Sequence, residues 1–474
     1  MAPTASRHLL PTITLLLVAL LLLCAGLYNG FPLVTSDSGT YINSAIHYDV
    51  PNDRPIVYGL FIRFTGLEFS LWLVILVQAL ILGWLLLRHV SEFASRITSH
   101  LGRLALVGIA VWTTGVSWYC SQLMPDIFTP IGLLALGLLL LGRFRSRAEL
   151  VGLLLLTVLS ATVHNSNLLT FTLVVFSFGA LAGWQQLFKR QLVGLRHWLL
   201  TTATVLACWV ILPSIHAAFG GGFVLSRASP VFLLARMVEA GIIDKYLDNN
   251  CDAPGASRLC ESRDKLPNDA ITFLWDENSP YNKSGGIDAN LEDYRSVVNQ
   301  IMTTPRYYPY LLTEGIQGTL RQLTHVGHGD GLTSFRENSN PYWKVQEFTS
   351  YELKQYLSSL QNRSALDFKV LNERTYAAQF LALLVVVAVV AAARRTASAH
   401  FTLHLLLLTV IGLGLVANAF VTGALANVLD RLQGRVAWLL PFVALILAAE
   451  FGPDFFRYLL LRLKQITMQP GDNA

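Results

Sequence analysis

The stretch Leu67-Glu-Phe-Ser-Leu-Trp-Leu-Val-Ile-Leu-Val-Gln-Ala-Leu-Ile-Leu-Gly-Trp-Leu-Leu-Leu87 holds one charged side chain, Glu68, and is otherwise almost wholly apolar. Crossing the hydrocarbon layer takes about 20 such residues. In lipid no water satisfies backbone groups, so a crossing run of this kind has to be helical. Comparable runs lie at 9–27, 102–118, 126–142, 149–163, 167–184, 197–213, 376–393, 401–418 and 436–452. Composition agrees, because 53% of the residues are apolar and 14% are charged, against roughly one-quarter charged in soluble domains. The sequence therefore predicts an all-α polytopic membrane protein of about ten spans.

The positions of the charges give the orientation. Arg7; Arg88, Arg96 and Arg103; Arg143, Arg145 and Arg147; Lys189, Arg190 and Arg196; Arg394 and Arg395; and Arg457, Arg462 and Lys464 fall in alternate connections. Cytoplasmic loops carry such an excess, so these connections and both termini are expected inside. The basic balance needs no nucleic-acid partner to explain it. The first run is read as a retained span rather than a signal peptide, since Leu23 precedes Cys24 where lipoprotein processing wants a small residue.

The expected division is 1–213 as an N-terminal membrane region with a first outer loop at 28–66, 214–375 as an extracytoplasmic, mainly helical domain, and 376–474 as a C-terminal membrane region. In the outer domain Ser229-Pro230 and Thr304-Pro305 read as helix starts, and Thr349 with Glu352 as a capping box. Helices are expected near 230–247, 305–324 and 350–360, with a strand left open around Ala270 to Trp275. The helix from Pro305 suits either the membrane interface or the interior of the outer domain. Cys24, Cys120 and Cys208 sit in or beside spans as small buried hydrophobes. Cys251 and Cys260 lie in the polar outer segment, where an oxidising compartment favours a disulfide; metal ligation, the alternative, lacks partners at suitable spacing.

The first outer loop carries Phe31-Pro-Leu-Val-Thr-Ser-Asp37-Ser-Gly-Thr-Tyr41 and then Asn52-Asp53-Arg54-Pro55-Ile-Val-Tyr58. An acid just beyond the first span, with a tyrosine four positions on, resembles the GT-C superfamily of polyprenyl-phosphate-sugar-dependent glycosyltransferases, whose first outer loop holds an Asp-Glu or Asp-x-x-x-Tyr element and then a Pro-Pro-Leu-Tyr stretch. Asp37 and Tyr41 match the first element; Arg54, Pro55 and Tyr58 match the second in part. Ser38 stands where a second acid is common, and only one proline is present. The resemblance extends to the large outer domain after the seventh span and to Asp126 at the outer start of the fourth.

What the resemblance implies is a GT-C-like bundle in a bacterial inner membrane, with the large domain periplasmic. A sugar would pass from a polyprenyl-phosphate donor to a glycan, lipid or protein acceptor at the outer face. Asp37 would be the general base, ionised at neutral pH; its plain alternative is a helix cap. Asp126 would bind acceptor or help Asp37 hold a divalent metal ion, or simply complement a helix N-terminus. Arg431 and Arg435, one helical turn apart, and Arg54 are candidate phosphate contacts; their alternatives are snorkelling or pairing with Asp430 and Asp53, as Arg63 would pair with Glu68. His164 and Asn165 invite a binding role, with helix-terminal hydrogen bonding as the plainer reading. His325, His328 and Asp330 are candidate metal ligands or parts of a glycine-rich loop. Two other functions stay open: an envelope-glycan polymerase or ligase using lipid-linked oligosaccharide, and a lipid or sugar transporter or flippase. A transporter places ionisable residues within its spans, whereas here the acids cluster at the outer ends.

Overall fold

The computed structural model describes residues 5–66, 68–252, 254, 256–393 and 399–467. Arg394 and Arg395 lie outside these, as do the side chains of Arg7, Arg457, Arg462 and Lys464. Among the described residues the fold is helical throughout, without a strand. Six helices are long and apolar enough to cross a membrane: Leu71–Phe93, Asn165–Trp184, Leu195–Ala218, Lys369–Ala391, His400–Leu425 and Asp430–Pro453. By length and composition the chain is an integral membrane protein. The other four expected runs are also helical but shorter, as in Leu9–Leu22, His100–Thr113 and Pro125–Leu141 and Arg147–Thr162. A helix of 14 residues reaches about 21 Å, short of a hydrocarbon layer of about 30 Å.

Capping fixes where several helices begin. Ser70, Ser99 and Ser146 each accept from a backbone N–H of the turn they precede, which satisfies a donor the helix itself cannot. The helix Phe128–Leu141 is apolar all round, and every residue from 121 to 140 is buried. Such a helix belongs in the middle of a bundle. Its entry turn, Pro125–Ile127, therefore holds Asp126 deep inside the protein.

The segment 214–375 divides in its packing. Val231, Leu234, Ile243, Phe273, Tyr294, Ile301 and their neighbours form a separate hydrophobic core, against which the Cys251–Cys260 disulfide packs with a Cα–Cα distance of 5.6 Å. Tyr342, Val345, Phe348 and Tyr356 instead belong to the core of the helical bundle. The helix expected at 230–247 breaks at Gly241, whose φ of +63° suits glycine, into Ser229–Glu239 and Ile242–Asn250. Ala270–Trp275 is a helix capped by Asp269, not a strand. Neither Thr304 nor Thr349 makes the expected side-chain cap. Glu352 is drawn away from the capping box: it accepts from Ser70 Oγ at 2.5 Å and from Leu71 N at 3.1 Å, placing its charge at the N-terminus of Leu71–Phe93, where the helix dipole favours it.

The helix Tyr308–Thr324 has one apolar face exposed and the other packed. Tyr308, Leu312, Ile316 and Leu320, four residues apart, are exposed, while Gly318 and Gln322 are buried against the helix Ala399–Leu425. A Cβ on Gly318 would lie 2.3 Å from Gly423 O, so the two backbones touch. Gln322 donates to Leu429 O at 2.8 Å and accepts from Leu429 N at 3.0 Å. That double bond holds the residue from which the helix Asp430–Ala437 starts.

Candidate functional site

Three segments far apart in sequence meet at one place. The first is the outer loop 31–58. Gln361 pins it by accepting from Val34 N at 3.1 Å and donating to Val34 O at 2.6 Å, and the helix Ser38–His47 lies so close to Asn340–Phe348 that a Cβ on Gly39 would meet Asn340 Cγ at 2.7 Å. The second is the entry turn of Phe128–Leu141. The third is Asp430–Ala437. An isolated bridge between Leu33 and Gln122 ties the first to the approach of the second.

Here acids and arginines alternate. Arg54 takes Asp53 Oδ2 at 2.5 Å and Asp37 Oδ1 at 3.0 Å. Arg431 Nη2 stands 3.3 Å from Asp37 Oδ2, and its Nε 4.0 Å from Asp126 Oδ2. Arg435 Nη1 donates to Asp126 Oδ1 at 2.8 Å, and its Nη2 to Ser166 Oγ and Asn418 Oδ1, both at 2.9 Å. Asp330 Oδ2 accepts from the backbone N of Arg431 at 3.4 Å. The row runs outward from full burial: the Arg435 and Asp126 side chains are 0% and 1% exposed, those of Arg431 and Asp37 18% and 24%. Of the two acids, Asp37 is the one open to solvent.

Asp37 does not cap the helix it precedes. Burial pushes its carboxyl up, but the guanidinium groups of Arg54 and Arg431 more than offset this and hold it below the ordinary aspartate value. It is thus a carboxylate at neutral pH, and a weak base for as long as both arginines stay on it.

Three buried atoms of the row have no hydrogen-bond partner among the described residues: Arg431 Nε, Arg435 Nε and Asp126 Oδ2. A buried donor or acceptor left unpaired costs about 1–3 kcal/mol. Two N–H donors and a carboxylate oxygen gathered in one place are groups that a ligand bearing oxygen acceptors and a hydroxyl would satisfy.

The site residues expected from sequence separate into roles. Asp37, Arg54, Asp126, Arg431 and Arg435 form the row itself. Arg435 is more deeply engaged than a phosphate contact alone would be, with three protein partners and no exposure. Tyr41 lies under Arg54, whose Cζ is 5.4 Å from the ring centroid, a cation–π contact. Tyr58 packs on Tyr41 at 5.0 Å, but its hydroxyl donates to Gln78 Oε1 at 2.7 Å, which ties it to the bundle. His164 accepts from Ser166 N at 3.2 Å and so caps Asn165–Trp184, the plainer of its two readings. Arg63 pairs with Glu68 as expected.

His325 and His328 are engaged apart, with Arg321 O and Thr375 Oγ1. Among the described residues no three His, Cys, Asp or Glu converge as a metal site. Arg431 stands between Asp37 and Asp126, 3.3 and 4.0 Å from their Oδ2 atoms, where a bridging cation would sit, so these carboxylates do not fit a divalent ion. Sequence reasoning missed Asn418 and Ser166. Asn418 carried a usable signal, a polar residue inside an otherwise apolar span.

An apolar groove of about 660 Å³ opens between Tyr308–Thr324 and the helices Asn165–Trp184 and Ala399–Leu425; Leu173, Leu312, Ile316, Leu413, Ala417 and Phe420 line it, and none of the row's own residues does. The last two helices also carry Ser166 and Asn418, the partners of Arg435. Compared with protein-family models, curated proteins and solved structures, the chain matches none of them.

Proposed function

We propose that this protein is a membrane glycosyltransferase of GT-C type, acting at the extracytoplasmic face of a bacterial inner membrane on a polyprenyl-phosphate-linked sugar. In this reading the bundle has about ten spans, the shorter helices being completed by their neighbours, and 214–375 lies in the periplasm. The observation that carries it is the buried row of arginines whose Nε groups make no hydrogen bond, together with an apolar groove between helices that also carry Ser166 and Asn418, the partners of Arg435. Guanidinium groups suit phosphate, and the groove suits the hydrocarbon chain attached to it.

The chemistry follows from charge balance. Arg54, Arg431 and Arg435 are already matched by Asp53, Asp37 and Asp126, so an arriving phosphate has to displace a carboxylate. The partner that gives way is Asp37, because it is more exposed than Asp126 and its contacts, 3.0 Å to Arg54 and 3.3 Å to Arg431, are longer than the 2.8 Å bond between Arg435 and Asp126. As the phosphate takes over Arg431 and Arg54, Asp37 loses the cations that depress its basicity. It then removes the proton from the acceptor hydroxyl while that oxygen bonds to the anomeric carbon. The bond from that carbon to the phosphate oxygen breaks, and the arginines hold the departing phosphate. The base is switched on only when the donor is in place.

The lipids that co-purify with the protein test this, extracted and identified by mass spectrometry. A polyprenyl phosphate, with or without its sugar, is the expected finding. Protein that carries only bulk phospholipid and binds no added polyprenyl phosphate would remove the donor and leave transport as the better reading.

A further inference from the structure

Tyr119 is buried, at 3% exposure, on the short helix Val116–Cys120. Its phenol lies within the field of the row, where Asp126, Arg431, Asp330 and Arg435 all act on it. Its location is fixed by a glycine. A Cβ on Gly434 would lie 2.3 Å from the Tyr119 hydroxyl and 3.3 Å from Cζ, so the hydroxyl rests against the backbone of Asp430–Ala437 at position 434. Arg431, Gly434 and Arg435 are three and four residues apart, which sets them on one helix face. The hydroxyl therefore occupies the face from which both arginines project.

We propose that Tyr119 is a third phosphate-binding group of the site, its hydroxyl donating to the same lipid phosphate that meets Arg431 and Arg435. The inference rests on the donor reading given above. Two guanidinium Nε–H groups without a hydrogen bond and one phenol O–H against Gly434 supply three donors, and a phosphate presents enough oxygens to accept all three. Gly434 is part of this arrangement: any side chain there would take the space of the hydroxyl. The ring itself is held independently, edge-on to His328 at 5.8 Å, so loss of the oxygen alone leaves its packing in place.

The test compares farnesyl phosphate with farnesol, which share a chain and differ in the phosphate, binding to the full-length protein in nanodiscs. Wild type should prefer the phosphate. Tyr119→Phe should weaken farnesyl phosphate by about tenfold or more, the value of a hydrogen bond to a charged group, and leave farnesol unchanged. A merely structural role would shift both ligands together. Equal preference in Tyr119→Phe and wild type overturns the assignment of Tyr119 and leaves the donor reading standing. A wild type that binds both ligands equally overturns the donor reading itself. Should Tyr119→Phe not fold, 3-fluorotyrosine at position 119, a near-isosteric and stronger donor, should raise the preference; an unchanged preference sinks the proposal.

Discussion

Two buried networks of acids and arginines lie toward opposite ends of the helical bundle, and they differ in one respect. At the end of Leu71–Phe93, Arg88 engages every guanidinium nitrogen: Nε on Glu149 at 2.5 Å, Nη1 on Glu92 at 2.7 Å and Nη2 on Arg143 O at 2.5 Å. The acids are answered in turn by the backbone N–H groups of Arg143 and Arg145. The row from Asp53 to Arg435 is as dense in charge, yet among the described residues Arg435 Nε has no hydrogen-bond partner, and Arg431 Nε and Asp126 Oδ2 make no hydrogen bond and meet only at 4.0 Å. A closed network of this kind clamps helices together. One with open valences keeps them for something that arrives, and the difference separates a structural role from a binding one more sharply than charge or burial does.

The largest expected effect breaks the comparison at the open end. Asp37→Asn keeps size and polarity and removes the basic oxygen. Turnover should fall about 10²- to 10⁴-fold, with membrane insertion retained and the unfolding midpoint lowered by the lost pairing with Arg54 and Arg431. Near-normal turnover of a lipid-linked sugar would mean that Asp37 is not the base. The matching substitution at the closed end, Arg88→Ala, leaves Glu92 and Glu149 without their cation; breaking such a buried pair costs about 3–5 kcal/mol. It should lower the unfolding midpoint in detergent and leave the preference for farnesyl phosphate over farnesol intact. A lost preference in protein that still folds would make the two ends one functional unit.

A smaller effect is expected away from both networks. The Cys251–Cys260 bridge closes a loop of sequence separation 9 beside the separate core of residues 231–307. Cys260→Ser should destabilise that region by about 2–3 kcal/mol, read as faster amide exchange there, with exchange in the bundle unaltered. Exchange that rises equally everywhere would show that the two cores unfold together.

How much of this was legible in the sequence follows from which interactions are local. Hydropathy is local, and each expected span is largely helical, though 9–27, 102–118 and 436–452 are interrupted at Leu23, at Thr114 and Gly115, and at Trp438. The individual members of the row were also legible: an acid after the first span, another at a helix start, and arginines one turn apart. Their partners were not, since Asp37 and Arg431 are 394 positions apart, and spacing says that two arginines share a face without saying what covers it. The same limit explains Glu352, which left its expected local cap for Ser70 and Leu71 because a helix N-terminus in the bundle offered a better place for its charge. Tyr119 gave no signal, because aromatic residues near span ends are ordinary at membrane interfaces.

The smallest effect, and the one that bears most directly on the open network, concerns pH. In the resting site Arg54 and Arg431 hold the Asp37 carboxyl below its ordinary value. An acid so depressed is ionised above its unfolded-state pKa and stabilises the fold there, and that stabilisation is lost as pH falls through the lower, folded-state value. Removing one cation moves the folded value up. Arg54→Gln should therefore shift the acid limb of kcat/KM, which reports the free enzyme, toward higher pH. It should also raise the pH at which acid begins to destabilise the protein, and the two shifts should share a sign because one carboxyl causes both. An acid limb that stays in place while stability shifts would show that Asp37 feels Arg54 but does not carry the proton of the reaction, leaving Asp126, despite its burial, as the remaining acid of the row able to do so.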